Sequence, residues 1–375
     1  MDAESRRAWA YLSRVTEPPN PLLAQLVSSV GVVEAAARVR RRDLENDRLK
    51  RATAARFDID CADADLEILD RMGGRLVTAE HEEWPHLAFA GFHTLNHEKR
   101  PQGHPPLVLW VVGPLELWDV AERSASIVGT RAITAYGDYV AADLAAGLVE
   151  RDVAVVSGGA YGVDGAVHRA TLAADGRTVA VLAAGIDVPY PAGHSALLHR
   201  IGRHGLVVTE YPPGMRPTRR QFLTRNRLVA ALGRATVVVE AGVRSGAANT
   251  ASWAKALGRP VGAVPGPITS SASVGCHDLL ADRAKVITRA ADVVELVGQV
   301  GELAPDVARP ATGLDDLTDE ELTVYEALPG RGKRAVQEIA VAAGLPVTEV
   351  LGPLTMLEVR GLVTQQEGSW KLAKH

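Results

Sequence analysis

Three times between Ser126 and Thr250 a short β-branched run ends in glycines and small hydroxyls: SIVGT at 126–130, VAVVSGG at 153–159 and ATVVVEAGVRSG at 235–246. Each run is too short for a buried helix, so it reads as a strand, and each ends where a helical pattern begins. Glycine lets backbone amides come close to an anion, and a helix N-terminus adds unsatisfied N–H donors and a partial positive charge. A chain that repeats this unit is constrained to a sheet whose strand-end loops gather along one edge. The ligand such loops suit is rich in phosphate.

The surrounding pattern agrees. Apolar strands recur near 126, 153, 178, 206, 235 and 260 with helical stretches between most of them, the signature of an α/β, Rossmann-like, doubly wound and mostly parallel sheet. Within 138–149, Val140, Leu144 and Leu148 fall four apart, as one packed helix face requires. Ligands of such sheets bind at the carboxyl ends of the strands, where the glycine loops fall. Residues 1–72 read as a helical module, with Leu22, Leu23, Leu26 and Val27 on one face and, after Gly31, Val32, Val33, Ala36 and Val39 on the next helix. Residues 73–300 form the sheet domain; within it Gly91 to Pro106, with three prolines and clustered histidines, reads as an exposed connection between the strands in RLVTA and PLVLWVVG. Periodicity fades after Gly298, so 301–316 reads as a linker, and 317–375, three helices and a small hairpin, as a winged helix.

Composition narrows the setting. A chain of 375 residues holds two or three domains. Its charged start, MDAESRRAWAYLSRV, and the lack of any run near the roughly 20 apolar residues a bilayer needs predict a cytoplasmic protein without membrane contact. Cys61 and Cys276 are too few and too far apart for a disulfide framework or a zinc pair. With a net charge of −4, any nucleic-acid contact must rest on a local basic surface. One segment offers it: no acid lies between Glu210 and Glu240, while Arg216, Arg219, Arg220, Arg225, Arg227 and Arg234 do. It reads as a groove that tracks a nucleic-acid backbone, with Phe222 stacking a base, in preference to a solvated charged surface whose ring anchors the loop. For Arg225, Asn226 and Arg227 a structural tie between helix and sheet stands equally open.

The motifs themselves carry a resemblance. IVGTRAITAYG at 127–137, VVSGGAYGVDGAVHRATL at 155–172, VAVLAAGIDVPYP at 179–191, TEYPPGMRPTRRQFLTRNRLVAAL at 209–232 and VVVEAGVRSGAANTA at 237–251, with GRPVGAVPGP at 258–267, resemble in order and spacing the DNA-processing protein A family, also called Smf. The helical, SAM-like N-terminal module and the winged-helix tail fit that family as well. The resemblance implies a non-enzymatic homodimer without cofactor that binds and protects single-stranded DNA and loads the RecA recombinase onto it during natural transformation. His194, Thr224 and Asn249 depart from the residues common at those family positions and mark a divergent member.

The candidate DNA-binding set follows from both readings. Gly129, Thr130 and Arg131 end the first motif, and the resemblance implies that Arg131 contacts phosphate, for which a guanidinium offers a planar fork; an ion pair inside the sheet is the alternative. Ser157, Gly158 and Gly159 make a second cradle, and Ser245 with Gly246 a third, to which Asn249 and Thr250 add side-chain hydrogen bonds. Arg219, Phe222, Arg225, Asn226 and Arg227 complete the set, four of whose arginines (131, 219, 225 and 227) are expected on phosphate. Catalysis finds less support. Asp164 and His168 lie four apart, but an acid in a first helical turn serves the helix dipole without chemistry. His194, His199 and His204 are spaced by five, which turns successive rings about 140° apart and gathers no metal. Neither a Walker loop nor GxGxxG appears, and AGVRSGAANTASWAK from Ala241 to Lys255 lacks the acid a nucleotide hydrolase of phosphoribohydrolase type would need. That hydrolase and a duplex-reading winged-helix regulator are the rival readings; against the second, VTEVLGPLTMLEVRG carries almost no phosphate-binding charge, although Arg331, Lys333 and Arg334 form a basic turn.

Overall fold

The computed structural model describes residues 1–243, 245–298, 314 and 317–373. The chain divides into two compact units, Met1–Ala304 and Pro305–His375. The first unit opens with helices α1 (Ala3–Val15), α2 (Pro21–Val30), α3 (Val32–Arg41), α4 (Asp47–Thr53) and α5 (Ala62–Arg71). Local chemistry starts them: the Asn20 side chain accepts the Leu23 amide ahead of Pro21, and Asn46 does the same for Arg48 and Leu49.

The sheet contains β1 (Gly74–Val77), β2 (Leu109–Val112), β3 (Ser124–Val128), β4 (Ala154–Ser157), β5 (Thr178–Val181), β6 (Leu206–Thr209), β7 (Ala235–Val238), β8 (Val261–Ala263) and β9 (Lys285–Val286). Their order is β1-β2-β6-β5-β4-β3-β7-β8-β9. All neighbours are parallel except β1–β2 and β2–β6. Short helices α6 (His86–Phe89) and α7 (Leu117–Glu122) precede β2 and β3 respectively; the crossovers are α8 (Ala135–Val149), α9 (Val163–Ala173), α10 (Ser195–His204), α11 (Arg219–Leu232), α12 (Gly246–Ala256) and α13 (Val274–Ala281), and α14 (Ala290–Val297) follows β9. After β6 the chain returns over α11 and lays β7 beside β3. Strand order therefore reverses between β3 and β7, the place where such sheets open a crevice for ligand.

The pleat sends alternate residues to opposite faces. Ala154 and Val156 pack with Leu228, Ala231 and Trp253 from α11 and α12, whereas Val153 and Val155 pack with Leu144, Leu148 and Val167 from α8 and α9. A further core joins Trp9, Tyr11 and Leu12 of α1 to Trp110 and Val112 of β2 and Ile201 of α10, so the helical module buries its apolar face on the sheet. Among the described residues no single helix is long and apolar enough to cross a membrane.

Two expectations need correction. The segment from Gly91 to Pro106 is not simply an exposed connection: Phe92 is fully buried against Phe89, the rings of His97 and His104 stack 4.0 Å apart, and the His104 carbonyl accepts from Arg227 Nε at 3.1 Å. Its polar composition hides an anchored interior. The sheet also extends to β9, only two residues long and so without a readable alternation.

In the second unit α15 (Asp319–Glu326), α16 (Val336–Ala343) and α17 (Val347–Val359) surround a core of Val324, Ile339, Val350, Leu354, Leu357 and Trp370, with β11 (Val363–Gln366) and β12 (Ser369–Leu372) as the hairpin and β10 (Arg334–Ala335) paired to β12. This is the winged helix the tail predicts. The expected linker at 301–316 falls outside the described residues apart from Leu314.

Candidate nucleic-acid interface

At the reversal point the carboxyl ends of β3, β4 and β7 and the first turns of α11 and α12 enclose an open cleft of about 890 Å³. The loop after β3 is held from both sides. Thr130 N donates to Glu240 O at 2.7 Å, and Val163 N to Thr130 O at 3.2 Å. Gly162 permits the second contact: its φ is +78°, and a Cβ there would lie 2.1 Å from Thr130 O. The Glu240 carboxylate is buried and accepts from Thr134 N at 3.0 Å and Thr134 Oγ1 at 2.5 Å, which fixes the start of α8 and leaves Arg131 exposed at the cleft mouth.

The opposite wall is α11. Thr218 and Gln221 close a capping box at its start, so Arg219 stands exposed in the first turn and Phe222, Leu223, Arg225, Asn226 and Val229 follow along the face that lines the cleft. The Arg131 guanidinium sits 5.0 Å from the centroid of the half-buried Phe222 ring, and Tyr190 packs on that ring at 5.4 Å. Tyr190 itself is substantially exposed, so the wall offers an aromatic surface beside a cation.

Arg225 forms the floor. Its Nη1 donates to Gly158 O at 2.6 Å and to Val181 O, and a Cβ on Gly158 would fall 2.5 Å from its terminal nitrogens. Burial pulls the Arg225 guanidinium below its ordinary value, and the nearby Asp164 opposes that shift. Burial pushes the Asp164 carboxyl above the usual carboxylate range, with Arg225 working the other way. The floor is thus a buried cation and acid facing each other, and above it stand Arg131 and Arg219, neither of which has an ion-pair partner among the described residues.

Among the expected residues, Gly129, Thr130, Arg131, Gly158, Arg219, Phe222, Arg225, Asn226, Ser245, Gly246 and Thr250 come together on this cleft. Others do not. Arg227 is fully buried, its Nη1 and Nη2 on the Glu210 carboxylate at 2.5 and 2.7 Å, and so is a structural ion pair instead of a phosphate contact. The Ser157 hydroxyl is buried and donates to Ile127 O at 2.6 Å, leaving it unavailable to a ligand. Gly159 lies outside the lining and uses φ +71° to turn the chain, its carbonyl meeting His194 Nδ1 at 3.0 Å. Asn249 supports from behind, with its Oδ1 accepting from Asn226 Nδ2 at 3.2 Å, while Ser245 caps α12 through the Ala248 amide at 3.2 Å.

Asp164 and His168 do not form a dyad. Asp164 accepts from Ala160 N at 3.3 Å, whereas His168 Nδ1 meets Thr178 Oγ1 at 2.7 Å in a fully buried site, where desolvation first and His194 second pull its pKa down to about 3. The sequence pattern did not single out Tyr190 as a cleft wall or Glu240 as the post behind Thr134, and it marked Asp164 as a helix-dipole acid where the structure places it in the floor. Tyr190 follows β5, and its position in a strand-end loop is the signal that marks it.

A crevice at the switch point of a doubly wound sheet, built of strand-end glycines, helix N-termini and arginines, defines an α/β protein that receives a phosphate-rich ligand. More particularly, the chain belongs to the DNA recombination-mediator protein A family, whose model matches residues 75–298; the DprA winged helix domain matches 308–369. It is 64% identical over 368 residues to the putative DNA processing protein DprA of Mycobacterium tuberculosis, covering 98% of this chain and 94% of that one. The DNA processing protein DprA of Streptococcus pneumoniae is 39% identical over 189 residues, 50% of this chain and 66% of that one. The X-ray structure of DprA from Streptococcus pneumoniae superposes with a TM-score of 0.62 at 28% identity, over 78% of this chain and 98% of that one. A Helicobacter pylori DNA processing protein A, whose structure is described for its single-stranded DNA binding mode, gives 0.50 at 28% identity over 59% and 94%.

Proposed function

We propose that this protein binds single-stranded DNA in the switch-point cleft, protects it, and passes it to the RecA recombinase during natural transformation, acting in the cytoplasm as a homodimer by binding and not by catalysis. The observation that carries the reading is the convergence of Arg131, Arg219 and Arg225 beside the Phe222–Tyr190 aromatic wall. Phosphates need the cations, and unpaired bases need the rings; a duplex keeps its bases stacked and has no use for the second. The membership in a recombination-mediator family and the single-stranded DNA binding of the Helicobacter pylori relative support the same ligand. The winged helix fits a duplex reader poorly, because among the exposed residues of α17, from Val347 to Val359, none is cationic.

Fluorescence anisotropy of a labelled oligothymidine and a matched duplex across a salt series tests this. With Arg227 tied to Glu210 and Arg225 buried against Asp164, the exposed cations Arg131 and Arg219 remain, and at about 0.7 per phosphate the log–log salt slope for the single strand is about −1.4. Arg131→Ala flattens it by about 0.7. A preference for duplex, or weaker binding by Arg131→Ala at unchanged slope, contradicts the assignment.

A further inference from the structure

On the sheet face that carries the helical module, a second cavity of about 370 Å³ opens between the end of α5 and the outer side of α10. The topology explains it. Parallel strands are joined by crossover helices that cover their junctions, but β2 and β6 are antiparallel, so no crossover roofs that pair. The floor is Val112 of β2, Val207 of β6 and the residues Leu182 and Ile186 after β5. Gly202 of α10 opens the space further. It does not adopt a positive φ, so the conformational reason for glycine is missing, and glycine in a helix interior lowers stability relative to alanine. A Cβ there would meet Val112 at 3.4 Å, an ordinary contact. What the missing side chain leaves is room over the floor.

Charge is confined to the mouth. Arg71 stands on one wall and His199 and Arg203 on the other; all three are exposed, and among the described residues none has an ion-pair partner. The carboxylate in the lining, Asp187, accepts from the Gly214 amide at 2.7 Å. Small-molecule sites place a few polar groups inside to fix orientation. Here the depth is apolar and the cations sit where a chain would leave the cavity.

We propose that this groove binds an acidic peptide segment of a partner protein, one or two apolar side chains entering over Val112 and Val207 while adjoining carboxylates meet Arg71 and Arg203. The site is separate from the DNA cleft and does not depend on that reading.

The test uses the full chain and a fluorescein-labelled peptide of four aspartates followed by Leu-Phe, with two comparators: asparagines in place of the aspartates, and Ser-Ser in place of Leu-Phe. The acidic Leu-Phe peptide binds in a salt-sensitive way and both comparators bind at least about threefold more weakly. Arg71→Glu and Arg203→Glu each weaken it by about threefold or more. Gly202→Leu, which fills the groove with a good helix former and leaves the charges alone, removes it. Oligothymidine binding stays unchanged in all three variants. No peptide binding, equal binding of either comparator, indifference to Gly202→Leu, or displacement of the peptide by oligothymidine would each overturn the proposal, the last by making the groove an extension of the nucleic-acid path.

Discussion

Replacing Arg227 by methionine removes the cation from a fully buried pair and leaves Glu210, itself buried, as an unpaired charge or a desolvated acid. Breaking such a pair costs about 3–5 kcal/mol, because the remaining partner keeps its desolvation penalty without its compensation. The loss extends to the His104 carbonyl, which accepts from Arg227 Nε, and so loosens the Gly91–Pro106 segment. At about 2.1 cal/mol/K of unfolding entropy per residue, a unit the size of Met1–Ala304 shifts its melting temperature by roughly 1.6 °C per kcal/mol, so the first unit should melt about 5–8 °C lower. The double variant Arg227→Met with Glu210→Leu recovers much of that, since apolar side chains of similar volume often replace a buried pair at little cost. Differential scanning fluorimetry reads both. The oligothymidine salt slope, measured well below the melting temperature, stays the same in both, because Arg227 meets no phosphate. A slope lowered by about 0.7 in a variant that melts like the wild type would mean that Arg227 leaves Glu210 for DNA, and the structural assignment would fail.

Phe222→Ala removes the ring between Arg131 and Tyr190 and should weaken oligothymidine binding by about 1–3 kcal/mol without changing the salt slope, as anisotropy at several salt concentrations would show; a changed slope with little loss of affinity would mean that the ring only positions Arg131. Gly162→Ala places a Cβ 2.1 Å from Thr130 O at φ +78°, so it should cost more than about 1 kcal/mol and release the 129–131 loop, read as faster amide exchange at Val163; unchanged exchange and stability would refute the pinning role. His168 has its folded pKa pulled to about 3 against 6.5, so the unfolded chain binds the extra proton as pH falls from 6.5 towards 3. Stability is therefore lost through that window, by about 2 kcal/mol at pH 5; His168→Gln should flatten the fall in melting temperature between pH 7 and pH 5, and an unaltered fall would place the acid sensitivity elsewhere.

Much of this was legible because the governing chemistry is local. Three strand-to-glycine connections put Gly129 and Gly158 at strand ends and Gly246 at the start of the helix that follows β7, and any doubly wound sheet brings such places to one edge; the cleft lining needs little more. Tyr190 escaped notice because its role depends on Phe222, 32 positions later in the chain, arriving against it through the return of α11. Phe92 escaped because a segment with three prolines and clustered histidines gives no periodic signal, and the tertiary contact with Arg227 shows that it is anchored. The chemistry of Asp164 is likewise invisible in one dimension: an acid in a first helical turn gives no hint of a buried arginine from another helix opposite it.

The arginine-rich segment shows how a correct composition signal can be divided by geometry. An α-helix advances about 100° per residue, so Arg225 and Arg227 point about 200° apart and cannot both face one strand of DNA. Residues 219, 222, 223, 226 and 229 share the sector that includes Arg225 and line the cleft, whereas Arg227 turns to Glu210 and the His104 carbonyl. Arg234 lies past the end of the helix and lines a separate cavity with Trp84 and Trp118. The absence of acid between Glu210 and Glu240 therefore has two causes. On the cleft face it keeps Arg219 free for phosphate, and on the opposite face the acid Arg227 requires is supplied by Glu210, at the very edge of the segment. A charge reversal at Arg219 should consequently change the salt slope with little effect on melting, while one at Arg227 should do the opposite, and the two measurements together separate ligand contact from fold within a single helix.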